Sequence, residues 1–283
     1  MDRTNPQYLA ISEYYDHAIE GHVYIRETLD LFFHVLGDRV QALEHRARIL
    51  ELGSHAGVVS ASLLERWPGS SLIVNDDDET MVAISRARLD SPHVVYNTGP
   101  LATVTQPVDF VTSIARHHHL PHGYLSDVRR VMTPATVYVL ADEFCPEYCM
   151  GEHRARVEQA ELISVVGGFV LTTFDEVRAF EATGTIPDAA VALEQLRRRA
   201  LWQWYRFVVD EAVARGYFDI AVGELQSTHD DLITGSDAEH KFSPLVVERQ
   251  FALAGFQQLS KRLIGPIDDA SRQSMFVYEF ALT

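Results

Sequence analysis

The chain has 283 residues, enough for one large domain or one domain with a sizeable insertion. Hydrophobic residues make up 47% and charged residues 23%, which excludes a disordered or collagen-like chain. The net charge of −16 and the pI near 5.2 speak against a broad phosphate-binding surface and against an anionic membrane surface. No nucleic-acid partner and no membrane partner is therefore expected.

The two cysteines, Cys145 and Cys149, fit neither a disulfide framework nor a CxxC zinc pair, and are expected as reduced thiols. The stretch Met1 to Pro6 lacks the apolar centre of a signal peptide, and no apolar run approaches the ~20 residues that span a bilayer. The expected location is cytoplasmic.

Residues 8–45 read as helical, with Tyr15, Ala18, Ile19, Val23, Leu29, Phe32 and Val35 near a 3.6-residue period and Gly37 as the stop. Short apolar runs then alternate with amphipathic segments. The strand candidates are 48–52, 72–75, 93–96, 108–112 and 136–141. Helices are expected over 58–67, 79–89 and 124–132. This β-α-β rhythm points to a parallel sheet with helices on both faces. It stops near Phe144. Residues 145–240 read as mostly helical, over 152–166, 174–180 and 189–215. A helix over 244–254 and strands over 256–263 and 274–282 complete the chain.

The segment Ile49-Leu50-Glu51-Leu52-Gly53-Ser54-His55-Ala56-Gly57 is a strand, a small-residue turn and a helix start. Such a turn lets backbone N–H groups approach a ligand closely. Asp76, about 20 residues beyond Gly53, ends the second strand candidate and can accept hydrogen bonds from both hydroxyls of a ribose. There is no third glycine in the spacing that a nicotinamide-dinucleotide site requires.

The turn resembles the E/D-x-G-x-G-x-G motif of class I S-adenosylmethionine (SAM) dependent methyltransferases of the small-molecule type. Further stretches resemble that family in order and spacing. They are Val74-Asn75-Asp76-Asp77-Asp78-Glu79-Thr80-Met81, then Asp109 to Ser113 running on to His118-His119-Leu120-Pro121, then Val128 to Pro134, and Phe251 to Phe256. Together they cover roughly 46–144 and 243–283. The resemblance implies a doubly wound α/β fold: a seven-stranded, mostly parallel sheet of order 3-2-1-4-5-7-6 with the last strand antiparallel. It implies an N-terminal helical lid over 1–45, a SAM-binding Rossmann-like domain over 46–144 and 243–283, and a helical cap for substrate over 145–242. SAM is the implied cofactor and S-adenosylhomocysteine its product. The implied cofactor-binding residues are Tyr15, Glu51, Gly53, Ser54, His55, Gly57, Asp76, Asp77, Gly99, Pro100, Leu101 and Ser113.

Two positions depart from the family pattern. His55 replaces the middle glycine; histidine tolerates positive φ better than most residues, and its ring either points to the methionine end or is a plain structural replacement. Pro100 stands where the family often has an acid for the adenine amino group, so adenine is expected against the backbone near Leu101. Tyr15, in Tyr14-Tyr15-Asp16, is expected either to close over the cofactor or simply to pack.

In-line methyl transfer needs alignment, exclusion of water and, for some acceptors, a base. His117 is the candidate base and Arg116 the candidate clamp for a substrate carboxylate. His118 and His119 read as structural or peripheral. No metal is assigned; a metal site around these histidines would need outside ligands such as His229, Asp230 or Glu143, because consecutive side chains diverge. Trp202 and Tyr205 are expected to share one helical face, with Trp204 elsewhere, and Arg197-Arg198-Arg199 to lie on a solvated face. The leading expectation is a methyltransferase of secondary metabolism acting on a small molecule, and a homodimer is compatible with it. The alternatives are a same-fold SAM-binding protein that does not methylate, such as a cyclisation catalyst or regulatory module, and a metal-assisted 2-oxo acid C-methyltransferase.

Overall fold

The computed structural model describes residues 6–121, 123–234 and 241–283. The opening segment Met1–Asn5 and residues 235–240, which end the expected cap, lie outside the described residues.

In chain order the elements begin with α1 (Pro6–Gly21) and α2 (Ile25–Gln41). The alternating part follows: β1 (Arg48–Leu52), α3 (Val58–Arg66), β2 (Ser71–Asn75), α4 (Glu79–Arg88), β3 (Val94–Asn97), β4 (Phe110–Ile114), α5 (Tyr124–Val131) and β5 (Val137–Glu143). Then come α6 (Gly151–Glu158), β6 (Ser164–Val166), β7 (Phe169–Leu171), α7 (Phe174–Thr183), α8 (Asp188–Ala214) and α9 (Phe218–His229). The chain closes with α10 (Pro244–Leu253), β8 (Phe256–Gly265) and β9 (Met275–Leu282).

The main sheet has the order β3-β2-β1-β4-β5-β9-β8. The first five strands run parallel, and β9 is antiparallel to both β5 and β8. This is the expected order 3-2-1-4-5-7-6, with β8 and β9 as sixth and seventh strands. The central strands β1, β4, β5 and β9 are buried on both faces and sort their side chains with a period of two. Leu50, Leu52, Val111, Tyr138 and Leu140 pack with α5, α10 and the 145–242 segment. Ile49, Leu72, Val74, Phe110, Val137 and Val139 pack with Phe32, Phe33 and Leu36 of α2 and Val59 and Leu63 of α3. The strand order reverses direction between β1 and β4. The crevice outside the carboxyl ends of these strands is where open α/β sheets place ligands.

Three expectations are corrected. The helical run near the N-terminus is two helices, because the chain turns at His22-Val23-Tyr24, with Tyr24 at φ 66°. Gly37 lies inside α2 and does not stop it; a Cβ there would touch the Trp67 ring at 3.5 Å. The helix expected over 152–166 ends at Glu158, and a hairpin of β6 and β7 follows. Its turn is Gly167-Gly168, both at positive φ, which suits a two-residue hairpin connection.

Along α8, Trp204 and Tyr205 are buried and Trp202 is 53% exposed, the reverse of the expected sharing. Arg197 is buried rather than solvated, because Glu194 and Asp231 both receive its guanidinium. Cys145 and Cys149 are both free. Among the described residues no helix is long and apolar enough to cross a membrane.

Candidate functional site

The turn after β1 is built from left-handed backbone. Gly53, His55, Ala56 and Gly57 all have positive φ, at 90°, 43°, 53° and 80°. The Gly53 N–H still donates to the Asn75 carbonyl (2.8 Å), so the turn leaves the sheet in register. Asp76 follows β2 directly. Its Oδ2 accepts the backbone N–H of Ser54 (2.7 Å) and the Ser54 hydroxyl (2.8 Å), and its Oδ1 accepts the Asp78 N–H (2.9 Å). Asp78 in turn caps α4, accepting from the N–H groups of Thr80 and Met81.

A cleft opens at these strand ends. Gly53, His55, Asp76, Asp78, Met81, Ala115 and Arg116 line it, with Tyr14 and Tyr15 of α1 on the opposite side. The Tyr15 ring meets the His55 imidazole edge-on, 6.0 Å between centroids. Burial, assisted by Arg116, pushes the His55 pKa down to about 4, so the ring is neutral near pH 7. Its Nε2 is buried without a hydrogen-bond partner. Arg116 lies along the cleft. Its stem crosses Gly53 so closely that a Cβ there would stand 2.7 Å from Arg116 Cγ, and its guanidinium reaches Asp77 (3.3 Å).

The structure thus gathers Tyr15, Gly53, His55, Asp76 and Arg116 around one cleft, with Ser54 and Asp77 bonded to them. The other sequence candidates are elsewhere. Glu51 points to the α3 face, where its Oε2 accepts the Ser60 hydroxyl (2.5 Å). Burial there lifts its pKa to about 8. Gly57 packs against Ser85. The Gly99 carbonyl accepts from Asn75 (3.1 Å), the Pro100 carbonyl accepts from Thr103 (2.8 Å), and Leu101 packs on the main core. Ser113 is buried within β4. None of Glu51, Gly57, Gly99, Pro100, Leu101 and Ser113 lines the cleft.

His117, the candidate base, does not line the cleft. Residues 117–119 form a 3₁₀ turn, so successive side chains point in different directions. His117 is the one turned into the core, with Nδ1 at 2.7 Å from the Tyr124 hydroxyl and its ring against Phe144 and Phe251. His118 and His119 line the cleft instead, and His118 Nδ1 pairs with Asp142 (2.6 Å).

The inner end of the cleft holds Glu143, named from the sequence as an outside metal ligand, and several residues that sequence reasoning missed. His22, Glu143, Glu224, Ser227 and Lys241 line it. Glu143 ends β5, and its Oε1 accepts from the Trp204 indole N–H (2.5 Å) and the Lys241 ammonium (3.1 Å). His22 Nε2 lies 3.3 Å from Glu143 Oε2 and 3.5 Å from Glu224 Oε1. Burial opposes the His22 imidazolium, but the two carboxylates outweigh it and lift the pKa to about 9. Lys241 also donates to the Tyr205 hydroxyl (2.9 Å), which donates to Asp231 (3.3 Å), which accepts from Arg197 (2.8 Å). A strand-terminal acid at Glu143 was visible in the sequence. His22, Glu224 and Lys241 come together only through tertiary folding. His229 and Asp230 pair with each other on an exposed stretch and do not join this group.

The strand order, the crevice and its glycine turn define one architecture. The fold is that of class I Rossmann-like methyltransferases. Among solved structures, the chain is similar to one from the complex between the Haloferax volcanii Trm112 methyltransferase activator and a methyltransferase. The two are 11% identical over 98% of each chain, with a TM-score of 0.50. It is also similar to an S-adenosylmethionine dependent methyltransferase from Mesorhizobium loti (14% identity, 89% of this chain, 99% of that one, TM-score 0.48). A third is a pericyclic reaction enzyme (12% identity, 88% of this chain, 47% of that one, TM-score 0.48), of which the chain spans about half the length. At these identities the likeness concerns the fold alone. No protein-family model and no curated protein matches the chain.

Proposed function

We propose that this chain is a SAM-dependent methyltransferase acting on a small molecule. The observation that carries the reading is the cleft itself: a left-handed backbone turn at Gly53–Gly57, an acid at Asp76, and Tyr15 facing them from α1. The residues present fit the donor. His55 offers a buried, unpartnered Nε2, and Gly53 of the turn lines the cleft beside the Arg116 stem. Asp76 would hold the ribose, Tyr15 and Met81 would flank the nucleoside and sulfonium, and Arg116 would pair with a carboxylate.

SAM, when bound, supplies a methyl group already activated by the sulfonium. The chain's own work is then alignment and exclusion of water. Tyr15 presents an aromatic ring, which suits a neighbouring positive charge. The acceptor would lie towards the inner end, where His118, Ser227 and the His22–Glu143–Glu224 group supply polar contacts. That polar end and the acidic surface favour a small acceptor over a nucleic acid.

Calorimetric titration with SAM and with S-adenosylhomocysteine tests the reading, followed by transfer of a labelled methyl to candidate acceptors. Saturable binding of both and label in an acceptor are expected. Absence of binding overturns the reading, and tight binding without transfer to any acceptor favours a non-methylating protein of this fold.

A further inference from the structure

We propose that His22, Glu143 and Glu224 bind one divalent first-row transition-metal ion at the inner end of the cleft. The site rests on these residues alone and not on the methyl-donor reading. They come from three separate parts of the chain, the α1–α2 turn, the end of β5 and α9, and each is less than a tenth exposed. One ligand atom from each lies within 4.8 Å of the others.

The imidazole is oriented for the purpose. His22 Nδ1 is 2.9 Å from the Val23 carbonyl oxygen, which can only accept, so Nδ1 carries the hydrogen. A metal-bound histidine characteristically donates its other ring N–H in this way. Nε2 then faces two carboxylates, at separations longer than a close hydrogen bond. A charge-assisted N–H···O contact would close to about 2.7–2.9 Å. The observed separations of 3.3 and 3.5 Å are those of neighbouring ligand atoms around a tetrahedral ion with bonds of about 2.0–2.1 Å.

Glu143 is held in the matching way. Trp204 and Lys241 both act on Oε1, which leaves Oε2 turned to the cluster. All three ligands line the cleft, so a further coordination position faces it, where an oxygen of the acceptor could bind. One imidazole nitrogen with two carboxylate oxygens suits Zn²⁺, Mn²⁺, Fe²⁺ or Co²⁺. It does not suit a soft ion that wants thiolates, or Mg²⁺ and Ca²⁺, which favour oxygen alone.

The full chain, stripped with a chelator and dialysed, is titrated with Zn²⁺ by calorimetry and with Co²⁺ by visible absorption. One equivalent should bind, and the Co²⁺ form should show the intense bands of a low-coordinate site. His22→Ala and Glu224→Gln should each weaken Zn²⁺ binding at least 100-fold, while His229→Ala, on the exposed stretch, changes nothing. Circular dichroism and S-adenosylhomocysteine titration of each variant separate loss of the ion from loss of the fold or of the donor site. No saturable binding by the unmodified chain overturns the proposal and leaves a proton between the carboxylates. Equal Zn²⁺ affinity in both ligand variants overturns it as an adventitious ion only. Should a variant not fold, the weak absorption of a six-coordinate Co²⁺ ion in the unmodified chain would be enough to overturn it.

Discussion

Ser54 gives Asp76 both its backbone N–H and its hydroxyl, at 2.7 and 2.8 Å, onto a single carboxylate oxygen. With Asp78 on the other oxygen, three of the carboxylate's roughly four acceptor sites are already used. Asp76 is therefore both a staple between β1 and β2 and the acid that faces the cleft. The Ser54 hydroxyl can rotate away to free one lone pair for a ribose hydroxyl; the backbone N–H cannot.

Asp76→Ala should weaken SAM binding by about 1.5–3 kcal/mol, roughly 10- to 150-fold, and should also lower the melting temperature. Asp76→Asn keeps an acceptor for Ser54 but sets its NH2 against the Asp78 N–H, so it should cost less stability than Asp76→Ala while losing the affinity. Calorimetry and thermal unfolding read the two effects apart. An unchanged dissociation constant in both variants would remove Asp76 from the donor site.

Glu51 has an ordinary carboxylate pKa in the unfolded chain and one of about 8 in the fold, raised by burial. Between these values the native state holds the proton and the unfolded state does not. Its contribution to stability is thus complete below the unfolded pKa and is lost as pH rises towards about 8. Glu51→Gln, neutral at every pH, should raise the melting temperature by several degrees near pH 8 and hardly at all near pH 5. An equal gain at both pH values would contradict the assignment.

His117 fills a core position. His117→Ala should cost roughly 2–4 kcal/mol by leaving a cavity and the Tyr124 hydroxyl without its imidazole. SAM affinity and the pH dependence of turnover should stay as they are in a folded His117→Phe variant. A selective collapse of turnover with unchanged stability would restore His117 as a base.

Arg197 joins Glu194 and Asp231, all three buried. Arg197→Met takes the buried guanidinium from both carboxylates, leaving Glu194 to Arg198 and Asp231 to the Tyr205 hydroxyl, and should cost up to about 3 kcal/mol in a urea unfolding experiment. Replacing the three residues together with apolar ones should recover most of that loss. A single variant as stable as the parent would show that the pairing carries little.

The sheet was legible because buried parallel strands are short apolar runs separated by amphipathic helices, and each run from Arg48 to Glu143 reads that way. The turn at Gly53–Gly57 and the acid at Asp76 were legible because backbone approach needs small residues at fixed places. The hairpin of β6 and β7 was written in Val165-Val166-Gly167-Gly168-Phe169-Val170, but the neighbouring helical period in Glu152–Glu158 masked it. The placement of His117 was not legible because three adjacent histidines in a 3₁₀ turn look alike in sequence, and only the packing of Phe144 and Phe251 shows which one faces inward. His22, Glu224 and Lys241 left no local signal, since their meaning lies in distances between segments more than two hundred residues apart.

The unbroken relay from Glu143 through Lys241, Tyr205 and Asp231 to Arg197 ties the floor of the cleft to the long helix α8. Replacing Tyr205 would take one of the partners of the Lys241 ammonium away and leave its contact with Glu143. The electrostatics of the cleft floor and the seating of the outer helix are therefore set by one continuous chain of contacts, and a change at either end reaches the other.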